Sequence, residues 1–312
     1  MITLQFVYVV TGIVFAAFAV LSARDRSNAR RFGNAAFWGL LAVSFLAGDS
    51  LGDFGNGILV LLLVLIAGFG ALGHGAPRTT TTDERRVEAQ RHGNRLFWLA
   101  LIIPATALIG TLLFKQLPML VESRQVTLIS LTLGVLSALA VAAAWLRPRP
   151  LVPLEEGRRL MDAVGWAAVL PQMLASLGAV FALAGVGDVI GELARDVIPT
   201  GSMFGAVVAY ALGMAIFTMI MGNAFAAFPV MAAAIGVPLL IHGYGGNPAV
   251  VCAIGMLAGF CGTLMTPMAA NFNIVPAALL ELRNRNGVIR AQVLTALPLL
   301  AVNIALIYFL AW

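Results

Sequence analysis

Charge is what this sequence has least of: 312 residues carry 19 Lys and Arg and 14 Asp and Glu, 11% of the chain against 61% hydrophobic. A soluble domain needs about 25% charged residues to wet its surface, so a water-exposed globular fold is excluded. Cysteine and histidine are nearly as scarce. Cys252 and Cys261 lie nine residues apart in one apolar run, which on a helix sets them on opposite sides, too far apart to pair. His74, His92 and His242 fall in separate segments with no second His or Cys at helical spacing, so no metal signature is present; Glu88, four residues before His92, makes one pair in a polar loop. No Walker A sequence occurs, which leaves out ATP hydrolysis by this chain.

Long apolar runs fill the space that charge leaves. They continue for roughly 15 to 20 residues without the polar alternation of a transmembrane β-barrel. The expected fold class is an all-α integral membrane protein of about ten transmembrane helices, with broken or re-entrant segments in its C-terminal half. Candidate spans are residues 3 to 22, 34 to 51, 57 to 75, 96 to 114, 125 to 146, 163 to 184, 201 to 221, 224 to 242, 248 to 266 and 290 to 311. One polytopic domain covers 1 to 312, with N-terminal spans in 1 to 162 and C-terminal spans with the transport site in 163 to 312.

The few charges orient the chain. Four loops hold Arg24, Arg26, Arg30 and Arg31; Arg78, Arg85, Arg86, Arg91 and Arg95; Arg147, Arg149, Arg158 and Arg159; and Arg283, Arg285 and Arg290, together 16 of the 19 basic residues. Lys115, Arg124 and Arg195 fall in other loops beside Asp49, Asp53, Glu122, Asp188, Glu192 and Asp196. The positive-inside rule makes the four basic loops cytoplasmic and both termini external, in a bacterial inner membrane. Arginines so dispersed among short loops point away from nucleic acid. The first span has no basic residue before it and arginines after it, the pattern of a retained helix rather than a signal peptide.

Outside the spans, residues 76 to 95 read as a cytoplasmic loop that enters a short polar helix at Thr79 to Arg86. Residues 186 to 198 alternate Asp188, Glu192 and Arg195 with Val189, Ile190, Leu193 and Val197, the pattern of an amphipathic helix at the outer interface, a lid or a plain connector. Asp49 and Asp53 beside Gly52 and Gly55 suit either an outer vestibule or an ordinary external turn.

Chemistry has one place to hide. Residues 197 to 280 contain no Lys, Arg, Asp or Glu, yet two polar, helix-breaking stretches interrupt them: 221 to 229, with Gly222, Asn223 and Pro229, and 262 to 276, with Gly262, Thr263, Thr266, Pro267, Asn271, Asn273 and Pro276. Irregular backbone in a membrane is tolerated where it is buried in protein or lines a polar cavity. Helix ends there could receive a carboxylate on free N–H groups, or a cation such as Na⁺ on carbonyls and Asn or Thr oxygens. Asn223, Thr263, Thr266, Asn271 and Asn273 are therefore the candidate substrate- or ion-binding residues, with Thr218 beside them. Packing is the competing account: Gly201-x-x-x-Gly205 and Gly255-x-x-x-Gly259 let helices approach, and Asn or Thr can join helices without touching a ligand. The two breaks also match weakly, Met221 with Met268, Phe225 with Phe272 and Pro229 with Pro276.

The stretches 219 to 230 and 255 to 277, with Arg24-Asp-Arg-Ser-Asn28 and Gly52-Asp-Phe-Gly-Asn-Gly57, resemble the bacterial membrane family labelled domain of unknown function 979 along essentially the whole chain. That resemblance implies one subunit of a two-component transporter, partnered by a family labelled domain of unknown function 969, for uptake of 5-oxoproline (pyroglutamate). It brings no site residues. The function expected is a non-enzymatic secondary-transporter subunit for a small organic anion, with no resident cofactor and Na⁺ as the candidate co-transported ion. A scaffold subunit and an intramembrane enzyme are the rival classes; an enzyme would show converging His, Asp, Glu or Ser/Lys in the apolar core, where this sequence offers His242 near a span end.

Overall fold

Backbone amides in hydrocarbon have to be satisfied within their own segment, and the apolar runs fold accordingly as helices. A computed structural model describes residues 1–75, 81–117, 119–197 and 201–312; Pro77, Arg78, Thr79 and Thr80 of the expected polar connector, and the side chains of Arg195 and Asp196, lie outside them. Among the described residues, eight helices are long and apolar enough to cross a membrane: Leu4–Arg24, Arg31–Gly68, Asp83–Gln116, Val126–Leu146, Met203–Met221, Ala224–Gly243, Pro248–Met265 and Gly287–Leu310. Two differences separate this count from the ten apolar runs of the sequence. The runs 34 to 51 and 57 to 75 fall largely within one helical stretch, and the run 163 to 184 holds a helix of 14 residues, Leu170–Leu183.

The chain divides into two compact units, Met1–Asp162 and Ala163–Trp312. In the first, α1 (Leu4–Arg24) lies against α2 (Arg31–Gly68). Gly52 interrupts α2 with φ +61°, a conformation that glycine adopts without the clash a Cβ would bring, and the two arms of α2 run back along one another. Asn56, in the second arm, donates to the carbonyls of Gly48 and Gly52 at 2.8 and 2.9 Å and closes the reversal. At the far end Asn34 exchanges hydrogen bonds with Gly73, and Arg30 donates to Gly70 and Leu72. The sequence Gly52 to Gly57 is thus a hairpin turn. Phe15 of α1 stacks on Trp38 and Phe45 of α2 at centroid distances of 5.7 Å each, and Gly12 takes Leu46 against its bare backbone.

After α3 (Thr82–His92), started by a capping box between Thr81 and Glu84, α4 (Leu96–Gln116) and α5 (Val126–Leu146) pair antiparallel through Gly110 against Ser130 and Gly134 against Ile103. The N-terminus is tied to the α4–α5 loop: Ile2 donates to Leu120 at 2.7 Å, Glu122 donates back at 3.0 Å, and the Glu122 carboxylate accepts from Leu4. α6 (Val152–Val164) crosses the unit boundary.

In the second unit α7 (Leu170–Leu183) and α8 (Val186–Val197) precede α9 (Met203–Met221). α8 presents Gly187 and Gly191, one turn apart, to Val230, Ala233 and Ala234, and leaves Asp188, Val189, Glu192 and Leu193 exposed. α10 (Ala224–Met231) continues into a π-wound stretch, Ala232–Gly243, and α11 (Pro248–Met265) follows with Asn247 as its N-cap. A short π turn, Ala270–Ile274, leads into α12 (Val275–Leu279), and α13 (Gly287–Leu310) packs on α11 and α9. Tyr210, Met214, Leu240, Val251 and Ile307 fill the core at 0% exposure.

Candidate functional site

The two polar breaks meet. α9 and α11 run parallel, in contact all along: Tyr210 lies against Gly255, Met214 against Gly259, and Ala215 against Gly262. Both helices end at the same level. There the Thr266 hydroxyl donates to the carbonyl of Met219 at 2.9 Å, and a Cβ on Gly222 would come within 2.5 Å of the carbonyl oxygen of Met268. Gly222, at φ +75°, turns the chain out of α9 and back through α10, so this break reverses the chain between a 19-residue helix and a 20-residue run. It does not interrupt a single helix at half its length.

Each sequence-selected residue has a definite place. Asn273 is buried at 1% exposure, and its amide donates to the carbonyls of Thr263 at 2.8 Å and Thr266 at 2.7 Å, carbonyls near or just beyond the C-terminal end of α11. Thr263 and Thr266 are buried beside it, Thr263 donating back to Phe260. Asn223 is the N-cap of α10, its side chain accepting from the N–H of Phe225 at 2.8 Å. Asn271 is exposed. Of the expected helix breakers, Pro267 stands in the turn after α11 and Pro276 in the first turn of α12, where its missing N–H costs no bond. Pro229 lies within α10 without ending it. Gly262 lies inside α11, where its bare backbone admits the carbonyl of Ala215, so it is a close-packing glycine rather than a break.

The matched positions of the two breaks also converge. Phe225 and Phe272 both pack on Phe260, at ring-centroid distances of 5.7 and 6.2 Å, and Phe225 is largely exposed. Asn273, Thr263, Thr266, Gly222 and this aromatic trio form a neutral site: polar oxygens within, phenyl rings at its edge.

A second polar cluster, which the sequence reading left among ordinary loop charges, lies in the first unit. Arg158 reaches Asp25 at 2.9 Å and Asp162 at 3.4 Å, with all three side chains at 8% exposure or less. One carboxylate oxygen of Asp162 accepts from both Asn34 at 2.9 Å and the Trp38 indole at 2.8 Å. Burial pushes the Asp162 carboxyl above the ordinary carboxylate range, against the hydrogen bonds from Trp38 and Asn34 and the charge of Arg158. At Asp25 burial acts in the same sense but is outweighed by hydrogen bonds from Ser27 and Arg158, which hold it below that range. Three segments that the charge pattern assigns to one face (24 to 34, 70 to 73 and α6) are joined here. The signal in the sequence was spacing: Asn34 with Trp38 and Arg158 with Asp162 are each one helical turn apart.

The chain belongs to the family described as Protein of unknown function (DUF979), whose model matches residues 5–312. Comparisons with curated proteins and with solved structures give no match.

Proposed function

We propose that this protein is one subunit of a two-component secondary transporter for a small organic anion, 5-oxoproline, working with a membrane subunit of the family labelled domain of unknown function 969. The observation that carries the reading is the joining of the two charge-free breaks by Thr266 and Asn273: three helix ends meet in a buried polar site without a charged residue of its own. The substrate and the companion rest on the family resemblance. A carboxylate can be received there by N–H groups in the first turn of α10, the apolar part of a small ring by Phe225, Phe260 and Phe272, and a co-transported Na⁺ by neutral oxygens. An anion entering a cell with a negative interior works against about 2.3 kcal/mol per charge per 100 mV, so accumulation calls for an accompanying cation.

Ten crossings follow if the two arms of α2 each cross and α7 crosses with its flanking residues; the basic loops then lie in the cytoplasm of a bacterial cell and both termini outside. Counterflow of labelled 5-oxoproline in proteoliposomes, with each subunit alone and with both, tests the proposal.

A further inference from the structure

A short apolar helix follows the second break: the π turn Ala270–Ile274 and then α12, Val275–Leu279. At 1.5 Å per residue it covers about 15 Å, half of a bilayer's apolar core, so it does not cross. The spans on either side of it are antiparallel, since the N–H of Asn247 at the start of α11 donates to the carbonyl of Ala311 at the end of α13, at 2.7 Å. The segment between them therefore begins and ends on one side of the membrane. Its last part is apolar and exposed: Leu279, Leu280 and Leu282 at 42%, 67% and 39%.

Arginines stand beside those leucines. The N–H of Leu282 donates to the carbonyl of Ala277 at 3.0 Å, and its side chain lies 3.6 Å from where a Cβ on Gly287 would stand, at the start of α13. Arg283 and Arg285 occupy the turn between these points and Arg290 lies near the start of α13, all three exposed. Among the described residues no carboxylate pairs with any of them. In the first unit several arginines are taken up by the protein itself: Arg30 by the carbonyls of Gly70 and Leu72, Arg91 by Glu88, Arg158 by Asp25 and Asp162, and Arg159 by Glu156. Here α13 adds the positive end of its dipole, with no acidic residue in its first turn. Exposed apolar side chains and uncompensated positive charge thus lie side by side.

That combination fits the surface of an anionic bilayer, which offers acyl chains to the leucines and phosphates to the guanidinium groups. Free phosphate or a nucleic acid would use the arginines and leave the leucines uncovered. We propose that Leu279, Leu280, Leu282, Arg283, Arg285 and Arg290 form a docking surface for anionic phospholipid headgroups of the leaflet on which α13 starts. Asn271 and Asn273 stand at the other end of the same short helix, so the lipid holds the far side of the segment that builds the polar junction. The surface requires a spanning chain and no transported substrate.

The probe is phosphatidylglycerol, compared with phosphatidylcholine and with inorganic phosphate at equal ionic strength. The purified full-length chain is melted in detergent over a series of probe concentrations. Phosphatidylglycerol raises the melting temperature of the wild type above its value in phosphatidylcholine, because a ligand that binds the folded state stabilises it. Arg283→Gln/Arg285→Gln/Arg290→Gln loses apparent phosphatidylglycerol affinity by roughly tenfold or more, whereas Arg86→Gln/Arg147→Gln/Arg149→Gln, an equal charge change at exposed positions of the first unit, keeps it. Leu280→Asn weakens the response as well, which a phosphate site made of arginines alone would not show. Should the first triple variant fold poorly, Arg283→Gln/Arg285→Gln, in the turn ahead of α13, is read in the same way. Equal stabilisation by the two lipids, an unchanged response in the 283–290 variant or in Leu280→Asn, the same loss in both triple variants, or full stabilisation by inorganic phosphate alone overturns the surface.

Discussion

Thr266 donates its hydroxyl hydrogen to the carbonyl of Met219, 47 residues earlier in the chain, at 2.9 Å. That bond ties the turn after α11 to the end of α9, and with Asn273 it makes one structure out of two breaks.

Asn273→Ala removes a donor shared by two carbonyls in this site, and each acceptor left bare in a buried place costs about 1–3 kcal/mol. Reduced membrane abundance and a lower melting temperature in detergent are the expected results. Asn271→Ala, at an exposed position, leaves abundance at the wild-type level and lowers uptake; parallel losses of abundance and uptake would assign Asn271 to packing instead.

Gly222→Ala places a Cβ at a positive φ and against the carbonyl of Met268. The strain amounts to about 1–3 kcal/mol, enough to lower the yield of folded protein on size-exclusion chromatography. Gly245→Ala, also at positive φ but with nothing within 4 Å of its Cβ, isolates the conformational part of that cost and loses less.

Arg158→Ala leaves two buried carboxylates without their cation and destabilises the chain by about 3–5 kcal/mol. Adding Asp25→Asn and Asp162→Asn to that variant regains most of the loss. Unchanged stability in the single variant would show that the cluster is solvated.

The two carboxyls of that cluster act in opposite senses on pH dependence. Asp25, with a folded pKa below its unfolded value, contributes stability that is present above the unfolded value and lost as pH falls through the folded one. Asp162, with its folded pKa raised, contributes stability below the unfolded value that is lost as pH rises through the folded one. Melting Asp162→Asn across the acid range therefore shows a smaller fall toward neutral pH than wild type, and Asp25→Asn a smaller fall toward acid. Identical slopes in all three proteins would contradict the assignment.

Topology is tested at four exposed positions. With an impermeant thiol reagent on intact cells, Asp53→Cys and Glu192→Cys react, whereas Arg86→Cys and Arg149→Cys react only after permeabilisation. Arg158 is unsuitable for such labelling because the structure buries it.

Helical class and most helices were legible because a membrane admits little else: apolar runs of spanning length, cut by arginine clusters, define their own ends. The polar breaks were legible for the same reason, since Asn, Thr, Gly and Pro are conspicuous where charge is absent. Their junction was not, because a bond between Thr266 and Met219 depends on α9 and α11 lying parallel, a tertiary fact with no local signature. Asn223 and Asn273 look alike in sequence, yet one caps a helix start and the other binds carbonyls in the last turn of α11 and just past it. Arg158 reads as one of 16 loop arginines until Asp25 is brought beside it from the end of α1.

Counterflow of labelled 5-oxoproline into proteoliposomes preloaded with unlabelled substrate decides whether this chain takes part in transport. Exchange is expected when this chain and its companion subunit are reconstituted together, abolished by an unfolded or absent partner and reduced by Asn271→Ala. Full exchange by the companion alone would contradict that expectation and make this chain a scaffold; so would no exchange by the folded, assembled pair.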